Sequence, residues 1–100
     1  MSDDYKWIWR KRQLKAEGQT LRFTRKAADL VDVFIHRDDQ FYSFNEVGRL
    51  VWGEDNLANL SLANIQNLIC KANRILEAIG WRIVNFGTRG LYLYKGDELP

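Results

Sequence analysis

Between Leu62 and Ile79 the chain reads LANIQNLICKANRILEAI. At about 100° per residue, one side of this stretch carries Ala63, Asn67, Cys70 and Arg74, flanked by Asn64, Gln66 and Lys71, and has no acid before Glu77. Asn, Gln, Lys and Arg are the side chains that hydrogen-bond base edges and phosphates in a DNA major groove. Asn67 and Arg74 fall within ~20° of each other at the centre of that side, which makes them the base-reading candidates. Asn64, Gln66 and Lys71 are expected to hold phosphates or flanking edges. An ordinary amphipathic helix with a merely solvated outer face has the same pattern, so the surrounding elements must decide.

Other chemistries find little support. His36 is the single histidine, with no carboxylate or thiolate at metal-ligand spacing, and it reads as structural. Cys70 falls near the centre of the polar side, where a small filler residue at an interface is the default. Asp38 and Asp39 are adjacent in a polar turn, which suits solvation better than acid–base work. Gly87 and Gly90 are followed by no helix, so they do not form a phosphate-cradling loop. Catalysis, a bound metal and a cofactor are not expected.

One hundred residues, 46% of them apolar and 28% charged, suit one globular domain over residues 1–100, ordered from about 5 to 95. One Cys permits no internal disulfide, so no oxidising compartment is required. No apolar run approaches the ~20 residues of a membrane span, and MSDDYKW lacks a signal-peptide core. The expected location is the cytoplasm. The net charge of +2 is small, but residues 1–36 hold eight Lys/Arg against five acids, residues 37–60 two against five, and residues 61–100 five against three. Basic flanks around an acidic middle suit an anionic ligand on the flanks.

The elements that position the polar face follow from periodicity. Tyr5, Trp7 and Trp9 alternate with Lys6, Ile8 and Arg10, predicting a strand over 5–10 with an aromatic face. A second strand carries Leu14 and Ala16, Gly18 supplies a turn, and Thr20–Phe23 returns with Leu21 and Phe23 inward. Thr24 is expected to cap a helix to Ile35 with Ala27, Leu30, Val31 and Phe34 inward. Arg37–Gln40 reads as a polar turn, and Phe41–Tyr42 as a short extended piece. Ser43 and Glu46 match a capping box for a helix over 44–52, with Val47, Leu50 and Val51 inward and Gly53 ending it. Residues 54–60 read as a loop, and Ser61 caps the long helix, whose inward stripe is Leu62, Ile65, Leu68, Ile69, Ala72, Ile75, Leu76 and Ile79. Strands over 81–86 and 91–95, joined by Gly87–Gly90, form a hairpin, and Gly96–Pro100 a frayed tail. A helix pair ending in a longer helix, backed by a β-hairpin, is an α+β winged helix-turn-helix arrangement: a small N-terminal antiparallel sheet, three helices and a C-terminal hairpin wing.

These residues resemble the OmpR/PhoB-type winged-helix DNA-binding domain of bacterial transcription regulators. Leu21-Arg-Phe-Thr24, with Gly18 before it, is similar to the family's passage from strand to first helix. Phe41-Tyr-Ser43, leading to Val51-Trp-Gly53, resembles its second-helix signature. Arg74-Ile-Leu76 resembles part of its recognition helix, and Ile83-Val84 with Gly87, Gly90 and Leu91-Tyr-Leu93 its wing. The likeness spans about residues 18–94. The turn Gly87-Thr-Arg-Gly90 is one residue longer than the family's Gly-x-Gly, and Leu91 stands where an aromatic is usual. The long helix keeps two cations, Lys71 and Arg74, where the family carries several arginines.

The resemblance implies sequence-specific binding of double-stranded DNA by a transcriptional regulator. The helix over 62–79 is expected in the major groove and the wing over 81–95, with Thr88 and Arg89, at the minor groove or backbone. In the family the loop before the recognition helix can touch RNA polymerase, which makes Glu54 and Asp55 candidates for that contact. A homodimer or tandem binding on DNA is a further implied assembly. The 100 residues are expected to leave no room for a receiver or sensor domain. The alternative is a winged-helix module that binds another regulator or RNA polymerase instead of DNA, its motive being the small net charge and the missing arginines.

Overall fold

The computed structural model of the chain describes residues 5–36 and 41–96, with only the backbone at 57–59. The turn expected at 37–40, with Asp38 and Asp39, and the tail beyond Gly96 lie outside the described residues. Three strands open the fold in the order β1-β2-β3, all antiparallel: β1 (Tyr5–Ile8), β2 (Gln13–Ala16) and β3 (Gln19–Arg22). Ala16 pairs with Gln19, so Glu17 and Gly18 make a two-residue turn, with φ of 49° and 73°. That double left-handed backbone matches the twist of the paired strands.

The first strand is shorter than its alternation suggests. It ends at Ile8, which pairs with Gln13, and Trp9–Lys11 form one 3-10 turn. A strand running to Arg10 leaves only Lys11 and Arg12 to reverse the chain, and neither is a residue suited to a tight hairpin turn. The chain uses a four-residue connection instead. Arg12 closes it at φ 53°, its N–H donating to the Trp9 carbonyl at 3.0 Å. Trp9 therefore leaves the aromatic face and is exposed, while Tyr5 and Trp7 pack against the core.

Helix α1 (Arg25–Ile35) buries Ala27, Leu30, Val31 and Phe34 as expected, and Ala28 and Ile35 besides. Thr24 occupies the N-cap position, but its side chain makes no capping bond. Helix α2 (Phe44–Trp52) has both capping-box bonds: Glu46 N–H to Ser43 Oγ at 3.1 Å and Ser43 N–H to Glu46 Oε1 at 3.0 Å. Val47 and Val51 are buried, whereas Leu50, expected inward, is 57% exposed. The third buried position of α2 is Gly48. With Gly48 turned in, the buried stripe centres between Val47, Gly48 and Val51, which puts Leu50 about 100° away from it.

Residues Glu54–Asn59, read as loop, form a 3-10 helix. Helix α3 (Leu62–Leu76) starts from Ser61, whose Oγ accepts the Asn64 N–H at 3.3 Å, and its final turn, Glu77–Ile79, tightens to 3-10 before Gly80. Strands β4 (Arg82–Asn85) and β5 (Leu91–Tyr94) form the hairpin, one residue shorter at three of their four ends than the pattern predicts. Tyr42 extends that sheet by pairing with Leu91 through bonds of 2.9 and 2.7 Å. A Cβ on Gly90 (φ 107°) would stand 2.6 Å from the Tyr42 carbonyl oxygen. Glycine there is required both by the backbone and by the neighbouring strand. The core joins one face of both sheets to all three helices, with Leu14, Leu30, Phe34, Leu76, Trp81 and Leu91 among its fully enclosed side chains. No helix among the described residues is long and apolar enough to cross a membrane.

Candidate nucleic-acid interface

Helix α3 separates its two faces as the wheel requires. Ile65, Leu68, Ala72 and Leu76 are buried, with Ile69 and Ile75 half-buried beside them. Leu62, expected on the inward stripe and the first residue of the helix, is 53% exposed. Asn64, Gln66, Asn67, Lys71 and Arg74 are all exposed, with Cys70 among them. None of these five polar side chains makes an intramolecular hydrogen bond or ion pair among the described residues. Their donors and acceptors are open to solvent, while the helix carrying them is packed against α1, α2 and β4. Asn67 and Arg74 are seven residues apart, roughly 10 Å along the axis, about three base-pair steps of duplex.

The hairpin is locked to this helix by a residue the wheel did not single out. The half-buried Asn73 donates from Nδ2 to the Ile83 carbonyl at 3.1 Å and accepts the Ile83 N–H on Oδ1 at 2.7 Å. A side-chain amide reproduces there the two bonds of a neighbouring strand, so the outward N–H and carbonyl of Ile83 on β4 are satisfied. The available signal was an Asn on the border of an otherwise apolar stripe, where an unpartnered amide is costly. At the other end, Gln19 Nε2 donates to the Ala78 carbonyl at 2.8 Å, tying β3 to the end of the long helix.

Thr88 and Arg89 lie exposed on the wing tip, where Gly87–Arg89 form a 3-10 turn. The tip is closed by Phe86 N–H to the Gly90 carbonyl at 2.8 Å and Gly87 N–H to Asn85 Oδ1 at 2.9 Å. Arg89 is not a free arm: its guanidinium lies 5.6 Å from the ring centre of Phe41. Phe41 in turn meets Phe86 and Tyr92 at 5.6 and 5.0 Å, so an aromatic cluster supports the cation. The sequence pattern located Arg89 but could not show this platform, which brings together residues 45 or more positions apart.

Glu54 and Asp55 are exposed at the start of the 3-10 helix after α2. Glu54 Oε1 lies 3.5 Å from Arg49 Nε, and Asn56 Nδ2 donates to the Trp52 carbonyl at 2.7 Å. Val51-Trp-Gly53 anchors this corner: Lys26 Nζ donates to the Val51 carbonyl at 3.1 Å and lies 5.6 Å from the Trp52 ring centre. His36 has a partner one helical turn back, with Nε2 2.9 Å from Asp32 Oδ1, an oxygen that also accepts the Trp7 indole N–H at 2.8 Å. The Asp32–His36 spacing was the legible signal for that bridge, and the arrangement fastens β1 to α1.

No protein-family model matches the sequence, and no curated protein matches it either. Solved structures do. The DNA-binding domain of Bacillus subtilis CssR aligns at a TM-score of 0.74 and 22% identity, over 90% of this chain and 99% of that one. The DNA-binding domain of the E. coli protein CadC aligns at 0.75 and 16% identity, over 100% and 91%. The DNA-binding domain of the response regulator AdeR, solved in complex with an intercistronic region, aligns at 0.73 and 12% identity, over 91% and 93%. The chain therefore has the α+β winged helix-turn-helix fold of these domains, helix α3 and the β4–β5 wing included.

Proposed function

We propose that the protein is a transcriptional regulator that binds double-stranded DNA sequence-specifically, with α3 in the major groove and the wing at the minor groove or backbone. The observation that carries this reading is the outer face of α3: five amide and cationic side chains, exposed and unpartnered among the described residues, on a braced helix. Asn67 and Arg74 read bases, as Asn pairs bidentately with adenine and Arg with guanine. Asn64, Gln66 and Lys71 hold phosphates or flanking edges, and Thr88 and Arg89 anchor the wing. AdeR, which shares the fold, was solved with a DNA intercistronic region, and that supports the same class of ligand here.

Glu54 and Asp55 form the RNA polymerase contact in this reading, presented on a short 3-10 helix rather than a slack loop. Binding as a homodimer or in tandem on DNA, in the cytoplasm and without catalysis, completes it. The test is fluorescence anisotropy of the whole chain on a mixed pool of labelled duplexes at a series of salt concentrations. Lys71, Arg74, Arg89 and a few N-terminal cations, roughly four to six phosphate contacts in all, predict a slope of log K against log salt of about −4 to −5. No binding at low salt, or binding indifferent to salt, sets the DNA reading aside.

A further inference from the structure

Three arginines belong to neither α3 nor the wing. Arg10, Arg12 and Arg25 line one hollow of about 280 Å³ with Trp9 and Asp29. None of the three side chains makes an ion pair among the described residues. Three guanidinium groups around one carboxylate leave positive charge focused in a concave site. The turn holding two of them is fixed: Arg12 sits at φ 53°, and its carbonyl accepts the Phe23 N–H at 2.9 Å.

A second hollow of about 400 Å³ shares Trp9 and Asp29 and continues between Val33 and Leu50. Trp9 is 48% and Leu50 57% exposed, so two of the three large apolar side chains exposed among the described residues face this one groove. Among the described residues the other polar lining is Asp32, His36 and Tyr42, and the Asp32 carboxylate is already engaged by Trp7 and His36. The surface runs along the strip of α1 formed by Arg25, Asp29, Val33 and His36. Ala27, Leu30, Val31 and Phe34 on the opposite strip enter the core, against which the inward face of α3 packs. The hollows are thus on another side of the molecule from Asn67 and Arg74.

We propose that this surface docks an acidic protein segment carrying a large apolar side chain. The apolar group seats between Trp9 and Leu50, and flanking carboxylates reach Arg10, Arg12 and Arg25. Charge sign selects the partner's acids, and the adjoining groove requires an apolar group that a phosphodiester backbone does not present. Trp and Arg are also the side chains that most often dominate protein interfaces.

The test selects peptides from a random displayed library on the whole chain, then follows a synthetic selected peptide by ¹H–¹⁵N NMR and anisotropy. The expected peptides combine a Leu, Ile, Phe or Trp with two or more Asp or Glu, and their binding shifts the Trp9 indole N–H. Arg25→Glu and Leu50→Asp, both exposed helical positions, each weaken that peptide on the order of tenfold. Thermal melting checks that each variant folds, and Arg25→Gln serves where Arg25→Glu does not. Failure to enrich any peptide, enrichment without acids, or variants that bind like the parent overturns the proposal. So does the same Trp9 shift produced by raising the protein concentration alone or by adding duplex DNA alone, since the occupant is then a second copy or a phosphate backbone.

Discussion

Asn73 holds Ile83 by both its backbone N–H and its carbonyl, at 2.7 and 3.1 Å. This side chain ties β4 directly to the long helix, beside the burial of Trp81 and Ile83 in the core. Asn73→Ala leaves both Ile83 groups without their partner, and a lost pair of part-buried bonds costs about 1–3 kcal/mol. The expected outcome is a lower denaturation midpoint and weaker DNA binding on specific and random duplexes alike. An unchanged midpoint in urea denies the brace.

Gly90 and Gly87 frame the same turn but predict different costs. Both have positive φ, yet only at Gly90 does a Cβ meet an obstacle, the Tyr42 carbonyl oxygen at 2.6 Å. Gly87→Ala is expected to cost about 1 kcal/mol for its backbone conformation. Gly90→Ala adds the loss of the Tyr42–Leu91 pairing and is expected to cost about 3 kcal/mol. Equal melting temperatures for the two variants contradict that difference.

Leu50 and Val47 lie one turn apart on α2 and test the burial directly. Val47 is fully buried, so Val47→Ala is expected to cost about 1–2 kcal/mol. Leu50→Ala is expected to stay within about 0.5 kcal/mol, as for surface positions generally. Chemical denaturation of both variants decides it.

Much of this is legible in the amino-acid sequence. The 3.6-residue period placed the inward stripe of α1 and, Leu62 apart, that of α3, and Ser43 with Glu46 and Ser61 placed the starts of α2 and α3. The errors have specific physical origins. Alternation at Tyr5–Arg10 cannot report where a strand partner ends, and the one signal for an earlier end is that Lys11-Arg12 makes a poor hairpin turn. Hydrophobicity put Leu50 inward because Gly48 carries no side chain to reveal its own burial. The platform under Arg89 and the Asn73–Ile83 bonds depend on residues brought together by tertiary packing, which periodicity does not encode.

Arg89 and Phe41 predict a shared loss. Arg89→Ala should weaken specific and random duplexes about equally and reduce the salt slope by about one. Phe41→Leu removes the ring under the guanidinium, so a smaller loss of the same kind is expected, with specificity unchanged. Competition titrations with random duplex separate an anchoring residue from a reading one.

In the proposed reading, α3 reads sequence through Asn67 and Arg74. The most direct measurement is selection of duplexes from a random pool, followed by the affinity ratio of the selected site to scrambled DNA for the parent, Asn67→Ala and Arg74→Ala. An enriched motif is expected, with a parent ratio of at least ~10³ that falls roughly 5- to 150-fold in each variant, as 1–3 kcal/mol of discrimination requires. No enriched motif, or a ratio that survives both substitutions, contradicts the assignment of α3 as the reading helix.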